Sequence, residues 1–365
     1  MSDYKVKIFN KELLKNDFTK YVLGVDIGGT NTNIAVAGIK KNKPFLQFSL
    51  NFNSQKQESI IPAINETLSF AKDNYKINVK NSCIGAAGLV SSKNDSAILT
   101  NVSWNVKTKN IIEKTLLEKV FIINDFQAIG YGINLLDVKN KKDIVTIRNK
   151  KDNNFNYGTK AIIGAGTGLG KSILYFDKKI KAYLPIASEG GHSDFPVQNN
   201  FDFKLLEYIK NLRKISQPLN YEEIISGRGL ESIYYFIRHQ KKYNKTKYTQ
   251  EIDSSNEKSS LISKYKKYDE SCKEAFRLYI KYYARCAKNF VLETMATDGL
   301  YIAGGIASKN IDIFKTDDFL NEFRNAYRRE KILKKIPIYI IVNYDVSLLG
   351  TCFACILYDY IKKGR

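Results

Sequence analysis

The residue best placed to do chemistry is Asp125, in the stretch Val120-Phe-Ile-Ile-Asn-Asp-Phe-Gln-Ala-Ile129. The apolar run Val120–Ile123 reads as a short buried strand, and a helical pattern (Phe126, Ile129, Ile133) begins directly after the acid. Open α/β sheets gather their ligands at the carboxyl ends of strands. A carboxylate there, at the start of a helix, can cap that helix or take a proton from a substrate. Taken alone, the stretch leaves both roles open.

Glycine-rich turns elsewhere supply a second kind of chemistry. Asp26-Ile-Gly-Gly-Thr-Asn31 joins two strands. Successive backbone N–H groups in such a turn form an anion-binding concavity, and Gly28 and Gly29 let a phosphate approach without meeting a Cβ. Thr30 and Asn31 add side-chain donors. Asp26 can order Mg2+ through water, since hard cations take oxygen ligands. An ordinary hairpin turn is the plainer account of the same residues.

Ile163-Gly-Ala-Gly-Thr-Gly-Leu-Gly-Lys-Ser172 nearly fits a Walker A loop, with Ala165 in place of its first glycine. That loop needs a helix immediately afterwards to hold the phosphates on its N-terminus. Ser172 to Tyr183 instead reads as strand, Asp-Lys-Lys turn, strand, which excludes the P-loop. The stretch is therefore expected to be a second phosphate-binding hairpin, with Thr167 and Gly168 at its tip. Leu169 stands where a dinucleotide fingerprint needs its third glycine.

Glu189-Gly-Gly-His192, Glu222 and the Asn124–Asp125 pair can form a ring of hydrogen-bonding groups suited to a molecule covered with hydroxyls, because such a site rejects analogues lacking them. Each piece has a blander account: Glu222 beside Glu223 as a solvated helix start, His192 as structural, Gly227 and Gly229 as a turn before a helix at Leu230. Ala303-Gly304-Gly305 lies at a strand-to-helix turn where a flat ring can rest on the backbone, or where the connection is simply tight. Cys352-Phe-Ala-Cys355 lies in an apolar helical run with no second pair and reads as core.

These residues need elements to hold them. Residues 1–20 read as a polar leader. A hairpin is expected over Tyr21–Ile27 and Thr32–Gly38, a third strand over Lys43–Phe52, a helix over 58–76, a strand over Asn81–Gly88 and a helix near 108–118. Residues 139–158 read as a surface loop, and Lys241–Ser260 as polar and mobile. Helices are expected at Phe201–Leu212 and Leu230–His239, and one long pattern from Leu261 to Thr297. Strands follow at Leu300–Ala303 and Ile336–Asn343, then a terminal helix at Val346–Ile361. Hairpin, strand and helix thus occur twice, suggesting two α/β units of related design with mixed strand direction.

The chain has 365 residues, 44% hydrophobic and 26% charged, enough for two domains of ordinary size. No apolar run approaches the ~20 residues of a membrane span, and the N-terminus lacks a signal-peptide core. Five scattered cysteines suit a reducing compartment. The net charge of +21 comes mostly from lysines spread along the chain rather than from an arginine-rich patch, so an incidental basic surface is expected rather than a nucleic-acid site.

Taken in order, LGVDIGGTN, GAAGLV, LTNVSW, INDFQAIG, GAGTGLG, EGGHSDF, EEIISGRGL and YIAGGI make the chain resemble the bacterial-type glucokinases of the hexokinase/actin-like ATPase superfamily. The resemblance runs from about Tyr21 to the C-terminal helix. It implies a two-domain actin-like ATPase (ribonuclease H-like) fold: a small domain of residues 1–135 completed by the helix 346–365, a large domain of residues 136–345, and a cleft between them that closes on the sugar. It implies Asp125 as catalytic base. Asn101, Asn124, Glu189, His192 and Glu222 become sugar ligands, with Glu223 leaving that last match open by one residue. Gly28, Gly29, Thr30 and the 166–168 turn would hold phosphates, and Gly304 and Gly305 would face adenosine. The related repressor/kinase group carries a cysteine-rich zinc motif, which this chain lacks. The long basic leader, the insertions near 139–158 and 241–260, and Arg228 within SGRG depart from the pattern.

The activity so implied is in-line attack of the glucose 6-hydroxyl on the γ-phosphorus of Mg2+-ATP, with Asp125 orienting that hydroxyl and accepting its proton late. The product is glucose 6-phosphate, at the entry to glycolysis. The expected partners are glucose and ATP, with Mg2+, in a cytoplasmic enzyme binding neither nucleic acid nor membrane; a homodimer is left open. The competing readings are a kinase for another hexose or N-acetylhexosamine, a non-catalytic sugar sensor on the same scaffold, and an actin-like or chaperone-like ATPase.

Overall fold

The hairpin of Tyr21–Ile27 and Asn31–Lys40 lies at the centre of the first sheet. Asp26 pairs with Asn33 and Ile27 with Thr32, so Gly28, Gly29 and Thr30 are left to make the turn. The computed structural model describes residues 3–9, 18, 20–149, 157–240 and 243–363. They form an α/β structure with two six-stranded mixed sheets and a small three-stranded one, and the chain divides into two compact units.

Unit 1 comprises residues 1–137, 176–187 and 343–365. Its sheet runs Tyr4–Ile8, Lys43–Asn53, Asn31–Lys40, Tyr21–Ile27, Asn81–Ala86, Lys119–Asn124. The first four strands pair antiparallel, and the last three run parallel to one another. The parallel register sets Ile27, Ala86 and Asn124 in one row. The carboxyl ends of three strands therefore meet where Asp26 and Asp125 lie.

One face of this sheet buries Leu23, Val25, Ile34, Phe48 and Ile84 against Ala63, Ile64 and Leu68 of the helix Ile61–Tyr75. Each such aliphatic side chain contributes about 1.5–3 kcal/mol when fully buried. The other face packs Cys83, Phe121 and Ile123 with Ala128, Leu348 and Cys352 of the helices Asp125–Ile133 and Val346–Lys363. These two helices approach so closely that a Cβ on Gly350 would lie 1.7 Å from the carbonyl oxygen of Ala128. The helix headed by Asp125 is thus clamped from below. All five cysteines are buried thiols outside any disulfide, and Cys352 and Cys355 lie in the core as expected.

Unit 2 comprises residues 138–175 and 188–342. The second sheet runs Ile144–Arg148, Ile338–Ile341, Leu300–Ala303, Lys160–Ala165, Leu169–Asp177, Ala182–Ser188. Lys160–Ala165, Leu300–Ala303 and Ile338–Ile341 are parallel, while Leu169–Asp177 returns antiparallel from the Gly166–Gly168 turn. The element after the glycines is a strand, so the Walker A reading is excluded by structure as well. Against the sheet packs the helix Glu270–Thr294, whose N-cap Asp269 accepts from Cys272 N at 3.0 Å. Arg285 on this helix is buried, with Nη1 2.7 Å from Asp202 Oδ2 and Nε 3.3 Å from Glu322 Oε1.

Four sequence expectations change. The leader contains the strand Tyr4–Ile8, an exposed edge in which only Tyr4 is partly buried, so alternation gave no signal; residues 10–17 and 19 lie outside the described residues. The expected loop 139–158 contains the strand Ile144–Arg148, paired antiparallel with Ile338–Ile341; residues 150–156 lie outside the described residues. The expected mobile stretch 241–260 forms the helix Lys247–Ser254 and begins another, Lys258–Tyr265. Thr246 and Thr249 cap the former reciprocally, and it buries only Thr249 and Ile252, too little for a periodic pattern. The pattern starting at Leu261 is two helices, because Asp269 starts a new one. Residues 176–187 cluster with unit 1, where Tyr183 N donates to Asn134 Oδ1 at 2.7 Å and Asn134 Nδ2 to Tyr183 O at 2.9 Å.

Candidate active site

In unit 1 the site is built on the row of strand ends. Asn124, the last residue of its strand, is the N-cap of the next helix. Its Oδ1 accepts from Phe126 N at 2.9 Å, and its own N–H donates to Gln127 Oε1 at 3.1 Å, completing a capping box. Capping is therefore carried by Asn124, although Phe126 N also reaches Asp125 Oδ1 at 3.0 Å. Asp125 is the first residue of the helix, half-buried, at the end where the macrodipole favours a negative charge.

Asp26 stands one residue before the end of the neighbouring strand. Part of its surface still meets solvent, yet the packed strands strip most of its hydration, and the charge of Asp125 adds to that effect. The Asp26 carboxyl is pushed up to about 7. Two neighbouring carboxylates, one of them largely stripped of water, are an arrangement a divalent cation relieves. Among the described residues no group of three or more His, Cys, Asp or Glu can hold a metal. A pair suits Mg2+, which keeps its waters and binds through one or two carboxylates together with substrate phosphates.

The Gly28–Thr30 turn is closed by Gly28 N donating to Asn31 O at 3.0 Å, and Thr30 and Asn31 are exposed. Asn101 packs directly over it: a Cβ on Gly29 would lie 2.6 Å from that of Asn101, so the close approach requires glycine. Gln55, which the sequence did not flag, fastens the two together. Its Nε2 donates to Gly29 O at 2.6 Å and to Asn101 O at 2.7 Å. The structure thus brings Asp26, Gly28, Gly29, Thr30, Asn31, Asn101, Asn124 and Asp125 to one edge of unit 1.

In unit 2, Gly166 N donates to Gly168 O at 2.8 Å and Gly166 O accepts from Gly227 N at 2.9 Å. Gly304 follows the parallel strand beside this hairpin with φ +92°, and a Cβ there would lie 2.5 Å from Ala165 O, so no other residue fits. A cavity of about 650 Å³ is lined by Gly166, Thr167, Arg228, Lys264, Gly305 and Lys309, among others. Cations and hydroxyls at a glycine turn are what a phosphorylated ligand requires.

Glu189 and His192 flank the short turn Gly190–His192, both exposed, with Glu189 Oε2 3.8 Å from His192 Nε2. Beneath it the buried Lys171 sets its ammonium over the rings of Tyr221 (4.7 Å) and Phe290 (5.0 Å), linking this turn to the helix start that carries Glu222. Glu222 Oε2 accepts from Leu169 N at 2.9 Å, so this acid sits on the glycine hairpin. Glu223 instead pairs with the largely buried Arg213. The two neighbouring acids therefore have different partners. The contacts of Gln55 reach 26 and 46 residues along the chain, and no local motif marks them.

The family model described as Glucokinase matches residues 23–356. The chain is 32% identical to the glucokinase of Nostoc sp. (strain PCC 7120) over 343 residues, 90% of this chain and 97% of that protein. It is 29% identical to that of Synechocystis sp. (strain PCC 6803) over 349 residues, covering 90% and 96%. Among solved structures it is similar to the glucokinase of Balamuthia mandrillaris in complex with glucose, with TM-score 0.77, 19% identity and 95% and 99% of the two chains covered. It is also similar to a ROK family glucokinase of Streptomyces griseus in complex with glucose and AMPPNP, with TM-score 0.60, 18% identity and coverage of 92% and 99%.

Proposed function

Because the chain belongs to the glucokinase family, we propose that it transfers the γ-phosphoryl group of Mg2+-ATP to the 6-hydroxyl of glucose, with Asp125 as the base that orients this hydroxyl. The observation that carries this reading is the division of labour at the strand end. Asn124 supplies the cap, so the carboxylate beside it is not needed to start the helix. Asn124, Asn101, Glu189, His192 and Glu222 are the sugar ligands of the proposal, and their mixture of acceptors and donors suits a ring of hydroxyls.

The phosphates fall to the Gly28–Thr30 turn, with Asn31, and to the 166–168 turn, whose backbone N–H groups and hydroxyls offer donors. Gly304 and Gly305 give adenosine a backbone without side chains to rest on. Mg2+ would be held through water by Asp26, beside Asp125, and would screen the charge of the transferring phosphoryl group when bound. Asp125 needs position more than basicity, since the hydroxyl proton leaves late in a loose transition state. The macrodipole of its helix favours the charged form.

The finer fold belongs to the same proposal: a two-domain actin-like ATPase arrangement, a small domain 1–135 completed by 346–365 and a large domain 136–345, with a cleft that closes on the sugar. Closure excludes water, so that ATP is spent on transfer and not on hydrolysis. A cytoplasmic enzyme at the entry to glycolysis follows from this reading. Among the described residues no helix is long and apolar enough to cross a membrane.

The test is Mg2+-dependent ADP release from ATP with no sugar, glucose, mannose, fructose, N-acetylglucosamine or N-acetylmannosamine. The proposal expects glucose to stimulate release most and glucose 6-phosphate to accumulate. Equal release without sugar would make the protein an ATPase and remove the sugar site.

A further inference from the structure

Four charged side chains meet where the Tyr221–Ile224 helix turns into the Gly227–His239 helix: Glu222, Glu223, Arg213 and Arg228. Three of them are accounted for. Glu223 pairs with Arg213, both largely buried, and Arg213 also donates to Arg228 O and, at 2.6 Å, to Ser232 Oγ. Glu222 has one oxygen, Oε2, fixed by Leu169 N at 2.9 Å.

Arg228 is different. Its side chain is 59% exposed, and its Nη2 reaches Glu222 Oε1 only at 3.5 Å and Glu223 Oε1 at 3.8 Å. A guanidinium has five N–H donors, and an exposed pair at this distance is held weakly. The same side chain lines the cavity that holds Gly166, Thr167, Lys264 and Lys309, and the preceding residue, Gly227, is bonded to Gly166 O. Arg228 therefore stands between a carboxylate that it holds loosely and a cavity suited to phosphate, for which a guanidinium offers a bidentate fit.

We propose that Arg228 couples binding of the phosphoryl donor to binding of the sugar. Without donor, the guanidinium faces Glu222 Oε1 and competes with a sugar hydroxyl for it. A donor phosphate entering the cavity draws the guanidinium away, and Oε1 becomes available to accept from the sugar. Glu222 itself stays in place, because Leu169 N holds its other oxygen. The inference rests on the functional reading above, since it needs Glu222 to be a sugar ligand and the cavity to take the donor. By linkage the effect is reciprocal, and sugar tightens the donor by the same factor.

The experiment is calorimetric titration of glucose into the full-length protein, with and without saturating Mg2+-AMPPNP, for wild type, R228A and R228K. Arg228 is a surface side chain, so R228A removes it without opening the core, and R228K keeps the charge while losing the planar fork. The inference expects the nucleotide to tighten glucose about five- to tenfold in wild type, a coupling of ordinary size. In R228A the ratio falls to about one, while glucose without nucleotide binds at least as tightly as in wild type; R228K is intermediate. An unchanged ratio in R228A, no coupling in wild type, or weaker glucose binding by R228A without nucleotide overturns the inference and leaves the kinase reading standing. Failure of the wild type to bind glucose at all overturns the functional reading, and this inference with it.

Discussion

Asp26 and Asp125 stand close enough that the charge of one raises the pKa of the other, and with burial as the larger cause the Asp26 carboxyl is pushed up to about 7. An unfolded aspartate titrates near 3.9. Between those values the folded state binds the extra proton, so stability falls as pH rises from about 4 to 7 and levels off above. In ligand-free protein the loss should be on the order of 2–4 kcal/mol. Asp26→Asn should flatten that dependence, leaving the variant more stable than wild type at pH 8 and impaired in Mg2+-dependent turnover. Melting temperatures at pH 5 and pH 8 check this, and an equal pH dependence in both proteins would contradict it.

Asn124 holds its helix through the Phe126 N–H. Asn124→Ala should cost about 1 kcal/mol of stability and raise the KM for glucose, since the amide also serves as a sugar ligand in the proposal. Asn124→Asp keeps a capping oxygen and should recover the stability but not the KM. Chemical denaturation read beside steady-state kinetics separates the two effects.

Glu222 and Glu223 are neighbours with different surroundings, and their variants should differ in kind. Glu222→Gln should raise the KM for glucose roughly ten- to a hundredfold, the worth of a hydrogen bond to a charged group, with little change in melting temperature. Glu223→Gln weakens the partner of the largely buried Arg213 and should lower stability by about 1–3 kcal/mol with a smaller change in KM. The reverse pattern would exchange the roles assigned to the two acids.

Arg285 bridges Asp202 and Glu322 inside unit 2. Arg285→Ala leaves two buried carboxylates without their cation and should cost about 3–5 kcal/mol. Urea unfolding would show it as a lower midpoint, and a loss under about 1 kcal/mol would mean that water or Lys288, 3.7 Å from Glu322 Oε1, fills the gap.

Two strands were legible because their apolar runs are buried on both faces: Phe121–Ile123, in an edge strand covered on both sides, and Ile162–Ile163, inside the second sheet. The rejection of the P-loop rested on Ser172–Tyr183 alternating as a strand hairpin, and the structure agrees. What escaped notice was exposed or long-range. Tyr4–Ile8 lies at a sheet edge, and Lys247–Ser254 buries two side chains, so neither shows a period. Gln55 acts through carbonyls at positions 29 and 101. Contacts of that kind are set by the packing of elements, not by local spacing.

The claim that matters most is that Asp125 handles the hydroxyl that attacks. The direct measurement is glucose affinity and single-turnover phosphoryl transfer in Asp125→Asn beside wild type. The asparagine keeps size and polarity but accepts no proton, so glucose binding should be retained within a few-fold while transfer falls about a hundred- to ten-thousandfold. Near-normal transfer in this variant would remove Asp125 from the reaction and contradict the account.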